Sequence, residues 1–162
     1  MNPIKLRDIA RLMLCIAICQ MAGVIGSVFT ASSVTTWYTT LNKPWFSPPG
    51  FVISAVWIML FSIMGLSLFL IWWQGISGPD SRIALVVFAA QLLVNMLWSY
   101  AFFGLQSPLA GVVVIVVLWL LILQTIILFW PIRKDAALLL VPYIIWVSFA
   151  GFLNYSIWRL NP

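Results

Sequence analysis

Gln91, Asn95 and Ser99 recur every four residues in an otherwise apolar stretch. That spacing sets them along one helix face with a drift of about 40° per step, and it turns Trp98 and Phe102 to the same side. Trp146, Ala150 and Asn154 repeat the interval further along the chain, and Ser54, Trp57 and Phe61 form a third such group. A few hydrogen-bonding groups among flat aromatic walls suit a flat, mostly apolar ligand. The competing reading of Gln91, Asn95 and Asn154 is interhelical glue, since amides within membrane helices bond across to their neighbours for about 0.6 kcal/mol each.

Absent residue types exclude most other chemistry. The chain has no His and no Glu, which removes Ser-His-Asp triads, His-ligated zinc and a His-ligated haem iron. Its only carboxylates, Asp8, Asp80 and Asp135, fall in or beside expected loops and tails, whereas an ion-coupled pump needs such groups inside its spans. Cys15 and Cys19 are four apart on one apolar helix, a poor geometry for a disulfide between them. They read as small buried residues and not as a soft-metal pair. No metal site and no resident cofactor are expected.

The elements that carry these residues follow from composition. Of the 162 residues 64% are apolar and 7% charged, against about 45–50% and about 25% in a soluble domain, so the excess must be solvated by lipid. A hydrocarbon core about 30 Å thick takes about 20 helical residues to cross. Five apolar stretches meet that length, at about 9–30, 51–73, 83–103, 109–130 and 136–158. The expectation is an all-α membrane protein, one domain over residues 1–162 with five transmembrane helices. The first stretch is too long for a signal-peptide core and lacks a small-residue cleavage site, so it reads as a retained span. Pro142 inside the fifth predicts a kink. The fourth, nearly all Val, Ile and Leu in its first half, is expected to be the most lipid-exposed.

Five spans put the chain ends on opposite faces. Lys5, Arg7, Arg11, Arg82, Arg133 and Lys134 fall on the amino-terminal face and only Lys43 and Arg159 on the other, so the positive-inside rule predicts a cytoplasmic amino terminus and an extracytoplasmic carboxyl terminus. The net charge of +5 reads as topology, and no nucleic-acid partner is implied. The one long connection, Ala31 to Pro49, carries Trp37, Tyr38, Leu41, Trp45 and Phe46. It reads either as an interfacial anchor at headgroup level or as a lid over a cavity between helix ends. Ala22 with Gly26, and Gly23 with Ser27, offer small surfaces suited to self-association on the first helix.

Four ordered blocks carry a resemblance. They are Trp37-Tyr38 with Leu41, Lys43-Pro44 and Pro48-Pro49; Val56-Trp57 with Leu60-Phe61; Asn95 to Ser99 with Phe102-Phe103; and Pro142-Tyr143, Trp146, Phe149-Ala150, Leu153-Asn154-Tyr155 and Arg159. Together they resemble the TspO and peripheral benzodiazepine receptor family, also called translocator proteins and tryptophan-rich sensory proteins. One position departs: Phe46 stands where the family usually has Trp. The resemblance implies a five-helix bundle in the lipid bilayer, generally a homodimer, with a cavity under the first loop. It implies porphyrins, isoquinoline and benzodiazepine-type drugs, and in animal members sterols, as ligands. By matching position Trp57, Asn95, Trp98, Trp146, Phe149 and Ala150 would line the cavity, with Trp37, Tyr38 and Pro48 closing it and Lys43 or Arg159 near the mouth to pair with propionates. Leu153, Tyr155 and Arg159 fit a loose sterol-contact pattern. Three functions stay open: a receptor or sensor of tetrapyrroles, a light- and oxygen-dependent porphyrin-degrading enzyme in which Trp57 and Trp146 would be the catalytic indoles, and a passive translocator.

Overall fold

The computed structural model describes residues 5–75 and 78–161. Five helical segments are long and apolar enough to cross a bilayer: Leu6–Ser33, Gly50–Gln74, Pro79–Gly104, Pro108–Ile132 and Lys134–Leu160. The first is α1 (Leu6–Ser33), followed by the single turn α2 (Trp37–Thr40) in the long connection. α3 (Gly50–Gln74) starts directly behind Pro48 and Pro49; its 25 residues reach about 38 Å at 1.5 Å per residue. α4 (Pro79–Ser99) runs without interruption into a π-helical turn, Tyr100–Gly104. α5 (Pro108–Ile132) begins at Ser107, whose hydroxyl accepts the Ala110 N–H at 3.2 Å, satisfying one of the free donors of a helix start.

The fifth span is broken where a kink was expected. Leu140, at φ −86° and ψ −7°, separates α6 (Lys134–Leu139) from α7 (Val141–Leu160). Pro142 has no N–H for the carbonyl four residues back, and it sits in the first turn of α7, where a helix tolerates it best.

α1 packs against α3 and α4, α4 against α5, and α5 against both α6 and α7. α3 closes the ring through α6, with Ser67 Oγ donating to the Ala136 carbonyl at 2.7 Å, and scarcely meets α7. The bundle is therefore tight at the end that carries Gln74 and Lys134 and looser at the end that carries the 34–49 connection. At the tight end Phe88 and Phe129 stack at 5.8 Å. Between α1 and α3, a Cβ on Gly65 would lie 2.5 Å from Ile16 Cα, so only glycine permits this backbone approach. Cys15 and Cys19 are buried and unbridged.

Two expectations are corrected here. The most lipid-exposed span is α1, with 22% of its apolar stretch buried against 28% for α5. Although α5 is apolar all round, one stripe, Gly111, Ile115, Leu118, Ile122, Thr125 and Phe129, is buried in the bundle, because α5 lies between α4 and α7. Of the small residues of α1, Ala22, Gly23 and Gly26 face inward instead of outward, while Ser27 is exposed. Ala22 and Gly26 are buried; a Cβ on Gly23 would fall 2.6 Å from the Phe61 ring and one on Gly26 3.0 Å from Ser99 Oγ.

Candidate ligand cavity

The looser end holds a cavity of about 410 Å³ between α1, α3, α4 and α7, within the range of small-molecule sites. Of the residues singled out from sequence, Tyr38, Trp57, Asn95, Trp98, Trp146, Phe149, Ala150 and Leu153 line it. Trp37 and Pro48 do not reach the wall; Trp37 instead sets its edge on Phe102 at 5.6 Å, and Phe102 is itself a lining residue. Tyr155 and Arg159 lie on the exposed side of α7, Arg159 over the Trp158 ring at 5.9 Å. The sterol-contact trio is thus split, Leu153 inward and the other two outward, because a two-residue step on a helix turns about 200°.

The aromatic walls are mutually supporting. Trp57 stacks on Phe61 at 5.7 Å and on Trp98 at 6.3 Å, and Trp98 stacks on Phe102 at 5.8 Å. The π turn supplies the rest of this end. By adding a residue to the helical register it turns the consecutive Phe102 and Phe103 both inward, and the Leu105 N–H reaches back to the Tyr100 carbonyl at 2.8 Å. Ser33 Oγ donates to the Phe103 carbonyl at 2.8 Å, so the loosened turn stays satisfied. Such π segments are frequent at functional sites.

The polar face of α4 turns out to be both glue and wall. Asn95 Nδ2 donates to Tyr143 Oη at 2.8 Å, and the Tyr143 hydroxyl donates to Gln91 Oε1 at 2.9 Å, a buried chain that joins α4 to α7. Gln91 takes no part in the cavity wall. Trp98 Nε1 donates to Asn154 Oδ1 at 3.1 Å, and Asn154 Nδ2 donates to the Pro108 carbonyl at 2.9 Å. The Trp146 Nε1–H is different: it is buried and has no partner, although its indole lines the cavity. A buried donor left unpaired costs about 1–3 kcal/mol, and the Trp146 N–H is closed off from the cavity by its surroundings while the indole ring forms part of the wall.

The long connection packs most of its aromatic residues onto the helix ends, and of these only Tyr38 lines the cavity. Tyr38 packs on Phe103 at 5.6 Å, Phe46 stacks on Phe152 at 5.3 Å, and the Lys43 ammonium sits 4.6 Å from the centre of the Tyr38 ring. Burial pushes the Tyr38 phenol above its ordinary pKa, and a hydrogen bond with Ser47 offsets part of the rise. At its middle the connection is clasped to the end of α7. The Asn42 N–H donates to Asn161 Oδ1 at 2.9 Å, and Asn161 Nδ2 donates back to the Asn42 carbonyl at 2.9 Å. Trp45, by contrast, is 96% exposed.

Sequence reasoning did not find the wall that α1 provides, from Gln20 through Ala22, Gly23 and Gly26 to Thr30. The signal was present in the run of small residues, which was assigned to self-association.

Comparison with known proteins agrees with this architecture. Residues 15–159 match the TspO/MBR family. The Tryptophan-rich protein TspO of Chlorobaculum tepidum is 46% identical over 156 residues, which cover 96% of this chain and 99% of that protein. The Tryptophan-rich sensory protein of Cereibacter sphaeroides is 38% identical over 77% of each chain. The Translocator protein of Bos taurus is 31% identical over 88% of this chain and 85% of its own. With five bilayer-length apolar helices and a match that runs nearly from end to end, the chain is a multi-pass membrane protein of the TspO/MBR family.

Proposed function

We propose that this protein is a membrane receptor or sensor that binds porphyrins and similar flat hydrophobic ligands in the cavity between α1, α3, α4 and α7. The observation that carries the reading is the cavity's make-up: three indoles and Phe149 as flat apolar walls, with Asn95 and Asn154 among the few polar lining residues. Names among the relatives, sensory protein and translocator protein, accord with a role in sensing or moving such a ligand. Purified protein titrated with protoporphyrin in darkness should give a saturable spectral shift that is stable over time. Absence of saturable binding would overturn the reading.

A second reading is light- and oxygen-dependent porphyrin breakdown, favoured by the placing of Trp57 and Trp146 in one cavity wall. A new product that forms only under light, and is lost in a Trp57→Phe, Trp146→Phe variant, would establish it. Passive translocation would show instead as ligand transfer between the two faces of a sealed vesicle.

The basic residues support a cytoplasmic amino terminus, six on that face against two on the other. Labelling of Asn42→Cys from the outer face of intact cells tests this. A homodimer remains our expectation from the family resemblance, with its interface away from the inward-facing Ala22 and Gly26.

A further inference from the structure

We propose that a groove between α3 and α7 is a bilayer-side vestibule, and that flat apolar ligands dissolved in the membrane pass from it into the cavity across a partition formed by Trp146 and Phe149. The proposal rests on the ligand-binding reading above. The groove measures about 350 Å³; Met59 and Leu60 of α3 and Pro142 and Ile145 of α7 are among its walls. Met59 and Ile145 are 52% and 63% exposed, on the lipid-facing side of two spanning helices. Its inner boundary is Trp146 and Phe149, and the same two side chains line the cavity. On the α3–α7 side a partition one side chain thick therefore separates the bilayer from the proposed ligand site, while on the α1–α3 side the exposed Val24 and Ile58 are lining residues.

Three features allow this seam to yield. The α3 and α7 backbones scarcely approach each other; the Trp57 ring meets the Tyr143 ring edge-on at 6.3 Å, but among the described residues no side-chain hydrogen bond joins the two helices. The α1–α3 seam is stapled instead, by Gln20 Nε2 donating to the Ile58 carbonyl and to Ser62 Oγ, each at 2.9 Å. Second, the Trp146 N–H has no partner, so turning the indole breaks no hydrogen bond. Trp98 and Trp119 are both held, by Asn154 at 3.1 Å and Ser148 at 2.8 Å. Third, the groove abuts the start of α7, where the break at Leu140 and Pro142 leaves the first turn without its full backbone bonding. The aqueous end is covered by the connection that Asn42 and Asn161 clasp. The occupant is the ligand itself, an apolar molecule whose concentration is highest in the membrane beside the groove.

Exchange kinetics of protoporphyrin, followed by its own fluorescence with the protein in phosphatidylcholine nanodiscs, test the route. Ile145→Trp, with Met59→Phe as a milder filling of the same groove, should slow association and dissociation together by about tenfold, the effect of obstructing a path more than a site. Circular dichroism establishes that each variant is folded. In a second arm, Asn42→Cys with Asn161→Cys, made in a Cys15→Ala, Cys19→Ala background and oxidised, locks the connection and should leave both rates unchanged. Unchanged rates in both folded groove variants, or exchange abolished by the locked connection, would overturn the vestibule. Val24→Trp on α1, a cavity-lining position, is the third arm, and slowing of both rates there alone with the equilibrium affinity unchanged would place the route at the α1–α3 seam and overturn the vestibule. Loss of saturable binding in the unmutated protein would remove the ligand site as well, so the two failures are distinguishable.

Discussion

The cavity contains two indoles in opposite hydrogen-bonding states, and one substitution at each should have opposite consequences. Trp98→Phe removes a donor that Asn154 Oδ1 accepts at 3.1 Å; Trp146→Phe removes one that nothing accepts. Both changes delete the same atoms from half-buried rings on one cavity, so the loss of apolar contact largely cancels in the comparison. The lost Trp98 bond costs about 0.6 kcal/mol by the average for membrane helices. The Trp146 change relieves an unpaired buried donor and returns about 1–3 kcal/mol. Trp98→Phe should therefore be the less stable variant by about 1.6–3.6 kcal/mol, measured by thermal or denaturant unfolding in one detergent. If Trp146→Phe is instead the more destabilising of the two, its N–H is bonded in the membrane and the polar accounting of the cavity is wrong.

Three further outcomes are expected. Ala150→Leu projects three additional carbons into the cavity and should weaken protoporphyrin binding by about 1–3 kcal/mol, the cost of overpacking a fitted site, with helix content unchanged; equal affinities in a fluorescence titration would place the ligand elsewhere. Gly65→Val forces side-chain carbons into the Ile16 backbone, which a single Cβ would already approach to 2.5 Å, and should destabilise the bundle by about 3 kcal/mol or more, read by thermal unfolding against the milder Gly151→Ala. Asn161→Ala opens the clasp on Asn42, about 1 kcal/mol of local stability, and should raise hydrogen exchange across residues 34–49 while the five spans stay protected; uniform exchange across the chain would show that the clasp does not act locally.

Composition and punctuation alone determined that this chain crosses a membrane, how many times and roughly where. Those are properties of single helices: 20-odd apolar residues need lipid whichever neighbours they find, and Pro48-Pro49 or Gly78-Pro79 stops a helix for local backbone reasons. The polar and aromatic residues of the third and fifth spans were likewise legible, because a four-residue interval keeps them on one face of any helix. What a helix face meets is a different kind of fact. Ala22, Gly23 and Gly26 form a small surface in any environment, and only the packing of α1 on α3 and α4 turned it into a cavity wall rather than a contact between subunits. The same holds for the polar hydrogens. Nothing local distinguishes Trp98 from Trp146; the bundle gave the first an acceptor in Asn154 and left the second with none. Helix periodicity is encoded residue by residue, but neighbours from distant parts of the chain are chosen by the fit of whole faces, and that choice exists only in the assembled bundle.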